Sequence, residues 1–311
     1  MAQIRNQTVV VTGANRGIGL EVSAGSTRVW RSIDGARPRV ALSRRRRSPP
    51  PPRDRALNPP ASPIAPPPPP LPLSHITQFV KQLLTRDGVR VVAAVRQSGP
   101  ELDALAASAA AKNRLLVTPL ADVSDPRAVQ AWATGLKKDH GVERVGTAIL
   151  NAGVYGGERV SIDAITPESM LSVFSVNALG PLLCVRYLRE AGLIGGRGGG
   201  GGGGGKTTGP CVVAAVTSKM GSIADNTSGG SYAYRCSKSA LNAGFASAAI
   251  DLAPEGVKCV LLHPGYVRTR MTGGQGLIDA DQSVSGMLGV LEDGLPAAGG
   301  WMDWKREVVP W

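Results

Sequence analysis

Ser218, Tyr234 and Lys238 fall within residues 218–238 (SKMGSIADNTSGGSYAYRCSK), and they are the residue types that can hold and protonate one small carbonyl oxygen. Tyr234 and Lys238 are four apart, which on a helix puts both on one face with the ammonium beside the phenol. A free tyrosine titrates near ~10, and a neighbouring cation favours the phenolate. The spacing therefore predicts a lowered value and a hydroxyl that gives or takes a proton near neutral pH. Ser218 is placed to hydrogen-bond the same oxygen. Ser222 lies nearer in sequence, but it reads as a turn hydroxyl bonded to its own backbone. Tyr232 is followed four residues on by Cys236 rather than a lysine, so it is read as a packing or cleft-lining residue.

These groups need a scaffold, and the chain supplies one from its start. Residues 8–12 are a short apolar run that leads into 12–19 (TGANRGIG). A buried strand running into a glycine-rich turn that opens a helix is a dinucleotide-binding arrangement. Gly13 allows the tight turn, Gly17 lets the backbone approach a pyrophosphate, and Gly19 permits close helix packing. A glycine turn without a ligand remains the alternative reading of this motif. Further strands are expected at 90–95, 115–120, 147–150, 211–217 and 256–262, with helices between them, one capped by Asp125 and one after Pro167. Strands alternating with helices mean an α/β, Rossmann-type, doubly wound parallel sheet in a single domain. The second strand ends at Arg96 where an NAD enzyme carries an acid, and Arg16 sits in the glycine turn. The two cations favour NADP(H) over NAD(H).

Two stretches interrupt the pattern. Residues 22–78 hold 14 of the 24 prolines and ten arginines against two acids, including 44–47 (RRRR) and 66–70 (PPPPP). Such a segment cannot bury enough apolar surface to fold and reads as a disordered insert. It accounts for most of the formal charge of +12, leaving a mildly basic remainder and weakening the case for nucleic acid. Joining Glu21 to Phe79 gives GIGLEFVKQLL, a continuous helical pattern. The 57 residues are in frame, open on a valine (GTN) and close on a glutamine (CAG), so a retained intron with a proline-coding pyrimidine tract is a natural hypothesis. Residues 195–206 are almost entirely glycine and read as a flexible loop. Cys184, Cys211, Cys236 and Cys259 form no CxxC pair and read as reduced thiols, while His75, His140 and His263 are scattered, so no metal site is expected. No apolar run of membrane length is apparent, and the early first strand leaves no room for a leader, so a soluble, cytoplasmic protein is expected.

Taken in order, TGANRGIG, Asn151-Ala152-Gly153, Asn177 in a helix, Ser218, Tyr234 with Lys238, and Pro264-Gly265 resemble the short-chain dehydrogenase/reductase family. Residues 226–235 (NTSGGSYAYR), 277–279 (LID) and 309–311 (VPW) are similar to its C-factor and sniffer-type carbonyl reductase branch. The resemblance implies that Tyr234 is the general acid, that Lys238 lowers its pKa and holds the nicotinamide ribose, and that Ser218, in the family's SxxG form, polarises the carbonyl. Asn177 would hold a water relaying protons to Lys238. Gly13, Asn15, Arg16, Gly17, Ile18 and Gly19 would cradle the pyrophosphate, and Asp122 with Val123 would flank the adenine. Asn151, Ala152 and Gly153 would line the cofactor, and Pro264, Gly265, Val267 and Thr269 would meet its nicotinamide end. Met271, Leu277, Ile278 and Met287 are candidates to cover a hydrophobic carbonyl substrate. A homodimer or homotetramer built on the catalytic helix and its neighbour is also implied.

Three other readings stay open on the sequence. One is a dinucleotide-binding signalling protein that does no turnover, kept in view by the C-factor resemblance. Another is an inactive splice or gene-model variant, since the insert opens within the helix that should hold the pyrophosphate. The third is an RNA-associated protein acting through the Arg/Pro arm.

Overall fold

Valine-rich runs without polar alternation belong to strands covered on both faces. The computed structural model describes residues 4–13, 74–157, 161–196 and 211–311, and each such run there is a strand. The strands are β1 (Thr8–Gly13), β2 (Arg90–Val95), β3 (Leu115–Pro119), β4 (Thr147–Leu150), β5 (Cys211–Val216), β6 (Val257–His263) and β7 (Trp301–Asp303). They form one sheet in the order β3-β2-β1-β4-β5-β6-β7, with every pairing parallel. The order reverses between β1 and β4. Their carboxyl ends, Gly13 and the residues after Leu150, therefore open the crevice in which sheets of this topology take ligands.

Helices cover both faces. Phe79 and Leu83 of α1 (His75–Leu83), Leu102 of α2 (Pro100–Ala107) and Met287 and Leu291 of α7 (Ala280–Asp293) pack with Val9 and Val11 on one side. On the other side, Trp132 and Leu136 of α3 (Pro126–Lys138), Leu188 of α5 (Gly180–Glu190) and Phe245 of α6 (Tyr232–Leu252) pack with Val10 and Leu150. Side-chain caps fix several helix starts. Asp125 accepts from Arg127 N, Thr166 opens α4 (Pro167–Phe174) by accepting from Ser169 N, and Asp279 accepts from Gln282 N.

The structure departs from the sequence reading in two places. The helix expected to resume at Phe79 starts at His75, so the last residues of the 22–78 stretch are helical. Ser74 caps it, and Ile76, Phe79, Val80 and Leu83 form one apolar stripe, while Gln78 is buried and donates to the Asp281 carboxylate. A seventh strand, β7, follows the six that were read, in a Trp-Met-Asp run too short to show a period. Finally, Pro167–Glu190 is a 24-residue helical run whose most apolar 18-residue stretch has a mean hydropathy of 1.4, long and apolar enough by length and composition to cross a membrane, although polar residues interrupt it and no continuous apolar run of that length occurs. More than half of its most apolar stretch is buried in the protein, where α5 packs on α3 and α4 on α6. The glycine turn from Asn15 to Gly19, most of the Arg/Pro stretch and nearly all of the glycine run lie outside the described residues.

Candidate active site

The carboxyl ends of β4, β5 and β6, with the start of α1, surround a cavity of about 440 Å³. Its wall includes Asn151, Gly153, Ser218, Tyr234, Pro264, Gly265, Val267 and Thr269 from among the residues expected to act there. Fold topology thus gathers residues spread across more than a hundred positions of the chain.

Tyr234 and Lys238 sit on one face in the first two turns of α6, with Lys238 Nζ 5.8 Å from the Tyr234 ring centroid. Lys238 is buried and donates to Val216 O at 2.9 Å, which ties the ammonium to the end of β5. Burial lowers its pKa to about 8. Tyr234 does not show the lowered value that the spacing predicted. Burial pushes it up to about 12, hydrogen bonding with Ser218 pulls the other way, and Tyr155 raises it further. Desolvation of the phenolate outweighs the effect expected of a cation that is itself desolvated.

Ser218 ends β5 and caps a short turn, its Oγ accepting from Met220 N at 3.2 Å. Ser222 is buried and committed elsewhere: its Oγ accepts from Asp225 N at 3.0 Å and donates to Trp311 O at 3.3 Å. Asn177 lies in a π-helical turn, Ser175–Leu179, between α4 and α5. Such turns widen a helix locally and recur at functional sites. Its side chain clasps the Val154 backbone, with Oδ1 accepting from Val154 N and Nδ2 donating to Val154 O, both at 2.8 Å, and Nδ2 also reaches Ser237 Oγ at 3.0 Å. Asn177 therefore ties the loop after β4 to α6.

Gly13 ends β1 so tightly against its surroundings that a Cβ there would lie 3.0 Å from both Ile76 Cβ and Asn151 Nδ2. Gly265 has φ +85°, and a Cβ on it would stand 2.7 Å from Trp304 Nε1, so this turn requires glycine. Ser283 Oγ donates to Pro264 O at 2.6 Å and anchors the same turn. Arg96 is exposed just beyond β2. Asp122 follows β3 and accepts from both the backbone N and the hydroxyl of Ser124, and Val123 packs into the core beside Gly180. Ala152 is buried behind the wall.

Of the apolar candidates for covering a substrate, Met271 lines the cavity, whereas Ile278 and Met287 are buried in the core and Leu277 points to solvent. The tyrosines of the cavity wall are Tyr155, Tyr234 and Tyr266. Tyr155, Met220, Tyr266 and Gln275 were not singled out in the sequence. Proximity could have flagged Tyr155, two residues beyond Gly153, and Met220, two beyond Ser218. His75, expected to be structural, also lines the cavity, its Nε2 is buried without a hydrogen-bond partner, and burial lowers its pKa to about 4. His263 Nδ1 accepts from Lys219 N at 3.2 Å. All four cysteines are free thiols, three of them buried.

The family model of the short chain dehydrogenases matches residues 76–277. The chain belongs to this family. This short-chain dehydrogenase is an oxidoreductase acting on a CH–OH or carbonyl group with a nicotinamide dinucleotide. It is 42% identical to the C-signal protein of Myxococcus xanthus over 168 residues, 54% of this chain and 93% of that protein. The NADPH-bound carbonyl reductase from chicken fatty liver aligns with a TM-score of 0.66 at 25% identity, over 99% of this chain and 100% of that one. The carbonyl reductase Sniffer of D. melanogaster aligns with a TM-score of 0.66 at 20% identity, over 99% and 100% of the two chains, a likeness of fold. The likeness to the C-signal protein lies in the C-factor branch of the family.

Proposed function

We propose that this dehydrogenase is an NADP(H)-dependent reductase of a small carbonyl compound in which Tyr234 is the general acid. The observation that carries the reading is the placement of Tyr234 and Ser218 together in the cavity wall, with Lys238 behind them on the same helix face. The residues suit a dinucleotide. A Cβ at Gly153 would come within 3.6 Å of Lys238 Nζ, so the glycine keeps the approach to the lysine open.

Bound there, the reduced nicotinamide supplies hydride to the carbonyl carbon. Tyr234 gives its proton to the carbonyl oxygen, completing the alcohol. Its raised pKa keeps that proton in place at neutral pH. The Ser218 hydroxyl donates to the same oxygen and stabilises the charge that develops on it. Lys238 favours the phenolate that remains and holds the ribose hydroxyls, and Asn177 fixes the loop beside it while offering Oδ1 to a water on the path to Lys238. Gly13 with Asn15, Arg16, Gly17, Ile18 and Gly19 would hold the pyrophosphate, and Asp122 with Val123 the adenine. Asn151, Ala152 and Gly153 would line the dinucleotide, with Pro264, Gly265, Val267 and Thr269 at its nicotinamide end.

Preference for NADP(H) over NAD(H) rests on Arg96 and Arg16, supported by the NADPH carried by the chicken enzyme. Residues 1–311 are read as one domain, with 22–78 as an insert whose last residues join α1 and 195–206 as a glycine-rich loop. A homodimer or homotetramer through α4 and α6 is supported by the exposure of Leu171, Phe174 and Ile250 on those helices. The same reading makes the enzyme soluble and cytoplasmic.

The experiment is NADPH binding by nicotinamide fluorescence, followed by a panel of aldehydes and ketones, on the full chain, on Tyr234→Phe and on a chain joining Glu21 to Phe79. Binding with turnover that Tyr234→Phe abolishes supports the reading. Binding without turnover of any panel member, by either the full or the joined chain, overturns it.

A further inference from the structure

Ser231 is the residue before the first turn of α6, and its conformation is unusual. It sits in the left-handed region with φ +51°, a conformation in which a residue with a Cβ is strained. A serine in that place normally turns its hydroxyl onto the backbone N–H groups of the helix start. Here it makes no such cap. Its hydroxyl is paired instead with Tyr155 Oη at 2.7 Å, and the serine is buried.

Tyr155 in turn belongs to the loop that leaves β4 through Asn151 and Gly153. Its ring lies 5.0 Å from the Tyr234 ring at an interplanar angle of 54°, within the range of favourable tilted aromatic pairs. Both rings face the cavity. One hydrogen bond therefore ties the loop beside the cofactor crevice to the start of the catalytic helix, and one ring contact passes that constraint to the acid. Asn177 makes a parallel tie one residue away, through Val154 to Ser237. Backbone strain retained for a bond that caps nothing is the kind of outlier that marks a functional constraint.

We propose that Tyr155, locked by Ser231, is a positioning residue for the reduction: it fixes the plane of the Tyr234 ring and closes the side of the cleft next to the reacting carbonyl. The inference rests on Tyr234 being the acid. Among the described residues, the groups facing Tyr234 include Ser218, Tyr155 and the Lys238 ammonium; burial raises its pKa most, hydrogen bonding with Ser218 lowers it, and Tyr155 adds a smaller upward push.

The test uses Tyr155→Phe, which keeps the ring and removes the bond, and Ser231→Gly, which removes the bond and relieves the left-handed strain. Steady-state kinetics with NADPH and the fastest aldehyde of the panel should show kcat reduced about tenfold in each, with KM for NADPH unchanged, the scale of a small misplacement of a reacting group. The double variant should be no slower than either single, because both remove one bond. The alkaline limb of the kcat/KM profile should move to lower pH in Tyr155→Phe, since a group that disfavours the Tyr234 phenolate is gone. Ser231→Gly should melt no lower than the parent by more than one lost hydrogen bond explains, which separates positioning from folding. Wild-type kcat and an unmoved alkaline limb in both variants, alongside an inactive Tyr234→Phe, overturn this inference and leave the proposed function standing. An active Tyr234→Phe overturns both.

Discussion

Gly153 and Asn177 approach so closely that a Cβ on the glycine would stand 3.3 Å from Asn177 Oδ1, on the same spot that Lys238 Nζ reaches to 3.6 Å. Three elements meet at this point: the loop after β4, the π-helical turn and α6. Gly153→Ala should fit with a shift of a few tenths of an ångström, and Gly153→Val should push Asn177 and Lys238 aside. NADPH affinity, read by nicotinamide fluorescence, should fall about tenfold for alanine and further for valine, each 1.4 kcal/mol being a factor of ten. Equal affinity in the parent and in Gly153→Val would show that the dinucleotide does not pass this glycine.

The buried Lys238 gives a pH signature in the free protein. Its folded pKa of about 8 lies below the ordinary 10.5, so between those values the unfolded chain binds the extra proton. Stability from this group therefore rises with pH across that window and is smallest below pH 8. Lys238→Met removes the titration. Urea midpoints at pH 7.5, 9 and 10 should show methionine gaining most on the parent at pH 7.5 and its advantage shrinking by pH 10, through a swing on the order of a few kcal/mol. A gap that stays constant with pH would mean that Lys238 is solvated in the folded state. Tyr234 and the buried thiols are common to both chains and cancel.

What the sequence disclosed follows from how local each signal is. Tyr234 and Lys238 are readable because a spacing of four is a fixed geometric fact on a helix, and the strands because valine runs covered on both faces have no competing reading. Tyr155 was illegible as a partner of Tyr234 because 79 positions separate them and only the adjacency of β4 and β5 brings them together. The pKa of Tyr234 went the other way from the expectation because spacing reports the neighbouring charge and says nothing about burial of both groups. The start of α1 was set four residues late because Ser74 to Gln78 follow a proline-rich run whose composition hides a capping serine and the buried Ile76.

Arg96 stands exposed beyond β2 with no acid at that strand end. If it meets the 2′-phosphate, Arg96→Ser should raise KM for NADPH about tenfold or more while leaving NADH nearly unchanged, because only the phosphate-bearing cofactor loses a contact. Arg96→Asp should go further and favour NADH, by offering an acceptor to the ribose hydroxyls. The measurement is the ratio of kcat/KM for the two cofactors in each variant. A ratio that does not move removes Arg96 from the cofactor site.

The turn between Ser218 and Tyr234 is held from outside by Trp311. Its carbonyl accepts from Ala224 N at 2.9 Å as well as from Ser222 Oγ, and its ring lies 5.7 Å from that of Trp301 in β7. The backbone bonds need no side chain, but the ring contact keeps the carbonyl where the turn can use it. Trp311→Ala should therefore lower stability by about 1 kcal/mol, the scale of an aromatic pair. Because Ser218 and Met220 lie in the turn that Trp311 braces, kcat should fall with KM for NADPH unchanged. Trp311→Phe should recover most of both losses by restoring a ring opposite Trp301. Thermal melting and steady-state kinetics on the two variants decide the point. If Trp311→Ala melts early but turns over normally, the brace serves the fold alone and Ser218 is positioned by β5 without it.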